Sequence, residues 1–118
     1  MVRKENLSYR ESVQNGRGTL AFYHVVAKEE LYGHGRLYAR IVMPPGSSIG
    51  FHIHHGETEP YYILKGEGDF IDNDHSVTHV VPGDVCFILP EQGHSIENNG
   101  TEDLEFMALV YNAEGINT

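Results

Sequence analysis

No stretch of this 118-residue chain sustains a helical repeat over ten or more residues. Apolar side chains do not recur at the i, i+3, i+4, i+7 spacing that lets a helix bury one face. Instead, short runs rich in Val, Ile, Phe and Tyr span 19–26, 36–43, 51–54, 59–65, 67–72, 76–81, 85–89, 94–98 and 104–111. Between them stand Pro44-Pro45-Gly46, Gly66, Asp72-Asn73, Pro82-Gly83, Gly93 and Asn99-Gly100, residue types that reverse a chain readily. Residues 28–35 allow a short helical turn at most, because Gly33 and Gly35 interrupt it. Many short strands joined by Gly-rich turns predict an all-β sandwich or barrel. Residues 1–18 read as an N-terminal arm or short edge element suited to a dimer contact, 19–112 as a single domain, and 113–118 as a tail.

Within that pattern, His52 and His54 are separated by one residue, Glu59 follows five positions later, and His94 comes forty residues further on. Residues i and i+2 of a strand point to the same face, so His52 and His54 project side by side. Glu59 reaches the same point from the adjacent strand and His94 from a third. A lone His-x-His pair would be read as solvent-facing. Three imidazoles and a carboxylate converging inside a sheet describe a divalent metal site. The mixed N/O set suits Mn(II), Fe(II), Ni(II), Co(II) or Zn(II), and the ligand types alone do not choose among them. With no thiolate in the set, a closed structural zinc site is disfavoured.

The segment from Gly46 through His52, His54 and Glu59 to Gly66 resembles the first cupin motif at every position, and the segment from Gly83 through Pro90 and His94 to Asn98 resembles the second. In the second, Leu89 stands where proline is common and Glu91 where glycine is common. The wording around both motifs is similar to small single-domain cupins of the oxalate-decarboxylase-like or mannose-6-phosphate-isomerase-like kind. The resemblance implies a double-stranded β-helix, the jelly-roll barrel, with His52, His54, Glu59 and His94 as ligands of one metal ion. It also implies a metal-dependent enzyme acting on a small carboxylate or on a hydroxy or keto acid. The alternatives are a cupin dioxygenase or sugar isomerase, and a non-catalytic sensor of a small ligand.

Around the four ligands, Tyr61 shares the strand parity of Glu59 and is expected to face the cavity. Its phenol is expected either to line that cavity or, with a lowered pKa, to act as acid or base. Arg36 and Arg40, the arginines of the central strands, are candidate carboxylate clamps, and Arg36 or Tyr61 is expected to orient a substrate. His55, of opposite parity to His54, and Glu57, in an expected turn, are assigned to solvent. His24, His34, His75 and His79 have no partner at ligand spacing. Cys86 reads as a small buried hydrophobe and Asn98 as a structural residue of the following turn.

Composition bounds the partners. A chain this short holds one core and buries only about two-thirds of its unfolded surface, which favours a homodimer. The net charge of −9 argues against nucleic acid and against an anionic membrane. A small anionic ligand stays compatible, because a bound metal dominates its local field. The single cysteine excludes an internal disulfide, no apolar run reaches membrane-spanning length, and the first sixteen residues contain no hydrophobic signal region. A cytoplasmic location is expected.

Overall fold

The computed structural model describes residues 1–113. Eleven strands form two antiparallel sheets: β1 (Asn6–Glu11), β2 (Thr19–His24), β3 (Gly35–Met43), β4 (Ser48–Ile53), β5 (Glu57–Thr58), β6 (Tyr61–Lys65), β7 (Gly68–Ile71), β8 (Val77–Val80), β9 (Val85–Cys86), β10 (Gly93–Glu97) and β11 (Leu104–Asn112). The larger sheet runs β1-β2-β3-β11-β6-β9, with β5 added to the end of β11; the smaller runs β4-β10-β7-β8. Apart from these strands, two 3₁₀ turns occur among the described residues, Val13–Asn15 and Lys28–Leu31. Among the described residues, no helix is long and apolar enough to cross a membrane.

The two sheets enclose one core. Leu20, Phe22, Ala39, Ile41, Met43, Ile63, Phe106 and Ala108 come from the larger sheet, and Ile49, Phe70, Val80 and Ile96 from the smaller. The larger sheet follows the two-residue alternation of a half-buried strand, and in β11 every second residue from Leu104 to Val110 is buried, whereas β10 of the smaller sheet is buried continuously from Gly93 to Ile96. This is the jelly-roll arrangement that the short runs and the motifs predict.

The first residues form the edge strand β1, paired along its length with β2 from Asn6↔His24 to Glu11↔Thr19. A strap then crosses to β4. Ser12, Gln14 and Asn15 all have positive φ, an arrangement that persists only where the surroundings fix it. Gly50 is one such constraint, since a Cβ there would overlap the Gln14 carbonyl oxygen. The expected tail falls, beyond residue 113, outside the described residues.

Two departures from the sequence pattern matter for the site. The expected run 59–65 starts only at Tyr61, as β6, because Pro60 has no N–H for a ladder bond, and the short β5 at Glu57–Thr58 lies outside that run. The turn before His94 holds Glu91 at φ +72°, a conformation that glycine adopts without strain. The Glu91 carboxylate accepts the Gly56 backbone N–H at 2.7 Å and meets His55 at 2.8 Å, which ties the strained turn to the loop after His54.

Candidate metal centre

Three strands deliver the four residues. In the pairing of β4 with β10, His52 lies opposite His94, and the register slips between His94 and Ile96. Such a bulge re-aims a side chain at a functional position. His54 follows directly on β4, anchored by its N–H to the Gln92 carbonyl and by its carbonyl to the Glu91 N–H. Glu59 sits at the Pro60 break between β5 and β6.

The donor atoms converge. His52 Nε2 lies 3.0 Å from His54 Nε2, which lies 3.1 Å from His94 Nε2. Glu59 Oε1 is 3.1 Å from His54 Nε2, 3.2 Å from His94 Nε2 and 3.9 Å from His52 Nε2. His54, Glu59 and His94 are buried and His52 nearly so.

The orientation of the rings is set from behind. His52 Nδ1 lies 2.7 Å from the Gly50 carbonyl oxygen, which can only accept, so Nδ1 carries the proton. His54 Nδ1 lies 2.8 Å from Glu57 Oε1 in the same way. Both Nε2 atoms therefore present lone pairs to the centre. His94 Nδ1 is buried without a partner; that ring is fixed by packing, stacked on Tyr61 at 4.9 Å and edge-on to Phe70 at 5.8 Å.

Lone pairs and a carboxylate oxygen this close repel one another unless a cation lies between them. Metal–donor bonds of about 2.1 Å at right angles place neighbouring donors about 3 Å apart, which matches every one of these separations except the wider 3.9 Å between Glu59 and His52. The residues present fit a divalent metal, and His52, His54, Glu59 and His94 can hold one. Burial pushes the Glu59 carboxyl up, but the three imidazoles around it outweigh burial and hold the group well below the usual carboxylate range. Burial pushes His94 down. For His54, burial is opposed and overcome by Glu59 and Glu57, and the net shift is upward.

Glu57 is the correction. Assigned to solvent, it is only 15% exposed and accepts from both His54 and Arg36. The reason is β5, which pairs Glu57 with Asn112 and Thr58 with Tyr111 and so makes a strand where a turn was expected. Metal-binding histidines commonly donate their second N–H to a carboxylate, and Glu57 has the geometry for that role. The available signal was parity: Glu57, Glu59 and Tyr61 alternate on one face.

Arg36 lines the cavity but directs its fork at Glu57, with Nε 3.0 Å from Oε2 and Nη2 2.7 Å from Oε1. Arg40 pairs with Glu5 and Glu105 and lies over the Tyr23 ring. Tyr61 faces the centre as expected, fully buried, with its hydroxyl 3.4 Å from His94 Nε2. Its pKa is raised rather than lowered, first by burial and then by the charge of Glu59. His55 is exposed and meets Glu91. Asn98 is structural: Nδ2 donates to the Met43 and Glu102 carbonyls, and Oδ1 accepts from the Gly100 N–H. Cys86 is buried, and burial pushes its thiol up to about 12.

A cavity of about 50 Å³ opens onto the centre, lined by His52, His54, Glu59 and Tyr61 together with Phe22, Ile41 and Ile49. Its outer wall includes Arg10, Val13 and Gln14 of the edge strand and strap. A single water needs roughly 10–15 Å³ on this measure, so the space suits a ligand of a few heavy atoms.

An eleven-stranded double sheet with a three-histidine, one-glutamate centre defines a class, and the chain belongs to it: residues 39–110 match the family model described as a Cupin domain. Among particular relatives, the chain is 48% identical over 99 residues to the oxalate-binding protein of Thermotoga maritima, covering 84% of this chain and 81% of that protein. A solved structure of a predicted oxalate decarboxylase from Thermotoga maritima superposes with a TM-score of 0.88 at 42% identity, covering 95% of this chain and 98% of that one. The chain is also 35% identical over 91 residues to the dimethylsulfoniopropionate lyase DddQ of Ruegeria pomeroyi, which covers 76% of this chain but 43% of that enzyme.

Proposed function

We propose that this cupin holds one divalent metal ion on His52, His54, Glu59 and His94 and uses it to capture a small carboxylate such as oxalate. The observation that carries the reading is the convergence of three Nε2 atoms and Glu59 Oε1, with two of the rings locked by Nδ1 hydrogen bonds. When bound, the metal supplies a positive centre and Lewis acidity to carboxylate oxygens. The chain does the rest. Phe22, Ile41 and Ile49 keep the inner wall apolar, which strengthens every charge interaction there. The small cavity supports a carboxylate over a sugar phosphate, and the name of the oxalate-binding relative supports the same ligand class.

Turnover in the manner of a carboxylate lyase is a second reading, supported by Tyr61. Its hydroxyl is a buried donor beside His94 Nε2, placed to orient a ligand oxygen. A homodimer is supported by the outer face of the larger sheet, where exposed Leu7 and, across the sheet, exposed Tyr62 and Val85 lie on one register line. The lone buried Cys86 supports a reducing, cytoplasmic setting.

Calorimetry with oxalate on metal-loaded and metal-free protein tests the main reading: binding is expected only with metal. Equal binding to both forms, or to neither, overturns it. Product analysis on wild type and Tyr61→Phe tests the second, with turnover expected to require metal and to fall in the variant.

A further inference from the structure

We propose that Arg10 is the anion-recognition residue of the cavity, and that it makes the site selective for dicarboxylates over monocarboxylates. The assignment rests on the carboxylate reading above and adds the residue that receives the outer end of the ligand.

Position comes first. Arg10 pairs with Leu20 and Ser8 with Phe22 across β1 and β2, and both partners are buried in the core. Arg10 thus projects from the inner face of the edge strand, where it lines the same cavity as His52, His54 and Glu59. Its guanidinium carbon lies 4.7 Å from the centre of the Phe22 ring. A guanidinium over an aromatic face is held by the ring while its N–H donors stay available for an anion.

Availability comes second. The chain has five arginines. Arg3 pairs with Glu30, Arg17 with Glu97, Arg36 with Glu57, and Arg40 with Glu5 and Glu105. Among the described residues Arg10 has no carboxylate partner, although the chain carries 17 Asp and Glu against 8 Lys and Arg. An arginine left unpaired at the mouth of a cavity, in a chain rich in carboxylates, is a receptor for an external one.

Attachment comes third. Val13 and Gln14, just beyond Arg10, line the same cavity, and the strap they belong to packs its Gln14 carbonyl against Gly50. The Gly50 carbonyl in turn holds His52 Nδ1. Arg10 is therefore fixed to the same backbone that orients a ligating histidine. A dicarboxylate reaching into the cavity meets the guanidinium with its outer carboxylate. A monocarboxylate has nothing to offer Arg10 once its one carboxylate is engaged at the centre.

The test is calorimetry with oxalate and with acetate on Mn(II)-loaded wild type, Arg10→Met and Arg10→Lys. Elemental analysis and melting curves verify equal loading and folding. Methionine keeps the length that packs on Phe22 and removes the charge. Loss of a charge-assisted hydrogen bond is expected to weaken oxalate at least about tenfold in Arg10→Met. Acetate should stay within about twofold, and Arg10→Lys, which keeps the charge without the fork, should fall between. Wild-type oxalate affinity in Arg10→Met, or equal weakening of oxalate and acetate, overturns the role of Arg10 and leaves the carboxylate reading standing. No oxalate binding by loaded wild type overturns the carboxylate reading itself, and the role of Arg10 with it.

Discussion

Two histidine–carboxylate clusters in this protein use the same residue types for opposite purposes. On β8, His79 points both ring nitrogens at carboxylates, Nδ1 at Asp69 (3.0 Å) and Nε2 at Glu67 (2.7 Å), with its side chain 57% exposed. At the loop after β4, His54 gives Nδ1 to Glu57 and turns Nε2 toward two further imidazoles and Glu59, with its side chain 2% exposed. A ring with carboxylates on both sides gains by taking a second proton. A ring with a carboxylate behind it and lone pairs beside it gains by meeting a metal ion. What separates a proton site from a metal site here is the company of the second nitrogen, a carboxylate alone at His79 and a carboxylate with two further imidazoles at His54.

The comparison breaks most sharply on metal content. His94→Ala or His54→Ala is expected to lose most of the bound metal, whereas His79→Ala and His55→Ala keep it. Elemental analysis of the four variants beside wild type decides; normal metal in His94→Ala overturns the site, and loss of metal in His79→Ala overturns the distinction. Metal removal comes next. A ligand that binds only the folded state contributes about 4 kcal/mol at a thousandfold excess over its Kd. For a domain of this size that corresponds to a fall in Tm on the order of 10 °C or more after chelation. An unchanged melt after verified removal counts against a coordinated centre.

A subtler contrast sets Glu57 against Glu67. Both bond a histidine, but only Glu57 stands behind a ring whose other nitrogen faces the centre. Removing such a carboxylate commonly weakens metal binding about 10–100-fold. Glu57→Gln should do so in a competition assay with a metal-binding dye, while Glu67→Gln should leave the affinity unchanged. Equal affinities in the two variants would show that Glu57 serves only to hold Arg36.

The four metal-binding candidates were legible because strand alternation is local: His52 and His54 need only the two-residue repeat, and the motifs place Glu59 and His94 around it. Glu57 escaped the sequence reading because its inward aim depends on β5 pairing with the far end of β11, more than fifty residues away in sequence. The use of Arg36 was hidden for the same reason, since its partner is that same carboxylate. Arg10 was hidden inside an arm that composition marks only as polar. Its place at the cavity follows from β1 adding to β2 and from Phe22 beneath its guanidinium, both long-range facts. The strand pattern itself read well wherever burial alternates. It read poorly at 85–89, where only Val85–Cys86 pairs as a strand, and at Pro60, where the expected run 59–65 starts only at Tyr61.

The smallest effect belongs to the exposed cluster and completes the contrast. Hydrogen bonds to Glu67, then to Asp69, raise the pKa of His79 above its ordinary value. A group whose folded-state pKa is raised contributes its stability in full below the unfolded pKa of about 6.5 and loses it as pH rises through the folded value. The surface cluster therefore favours folding on the acid side of neutrality. Metal binding runs the other way, since its ligands must be deprotonated. Following the His79 ring protons by NMR across a pH titration should show a midpoint above the ordinary histidine value at low salt. Because the pair is exposed, added salt should bring the midpoint back toward that value, and Glu67→Gln should lower it. A midpoint at or below the ordinary value in wild type, insensitive to Glu67→Gln, would mean that the carboxylates beside His79 do not hold its proton, and the distinction between the two clusters would then rest on burial alone.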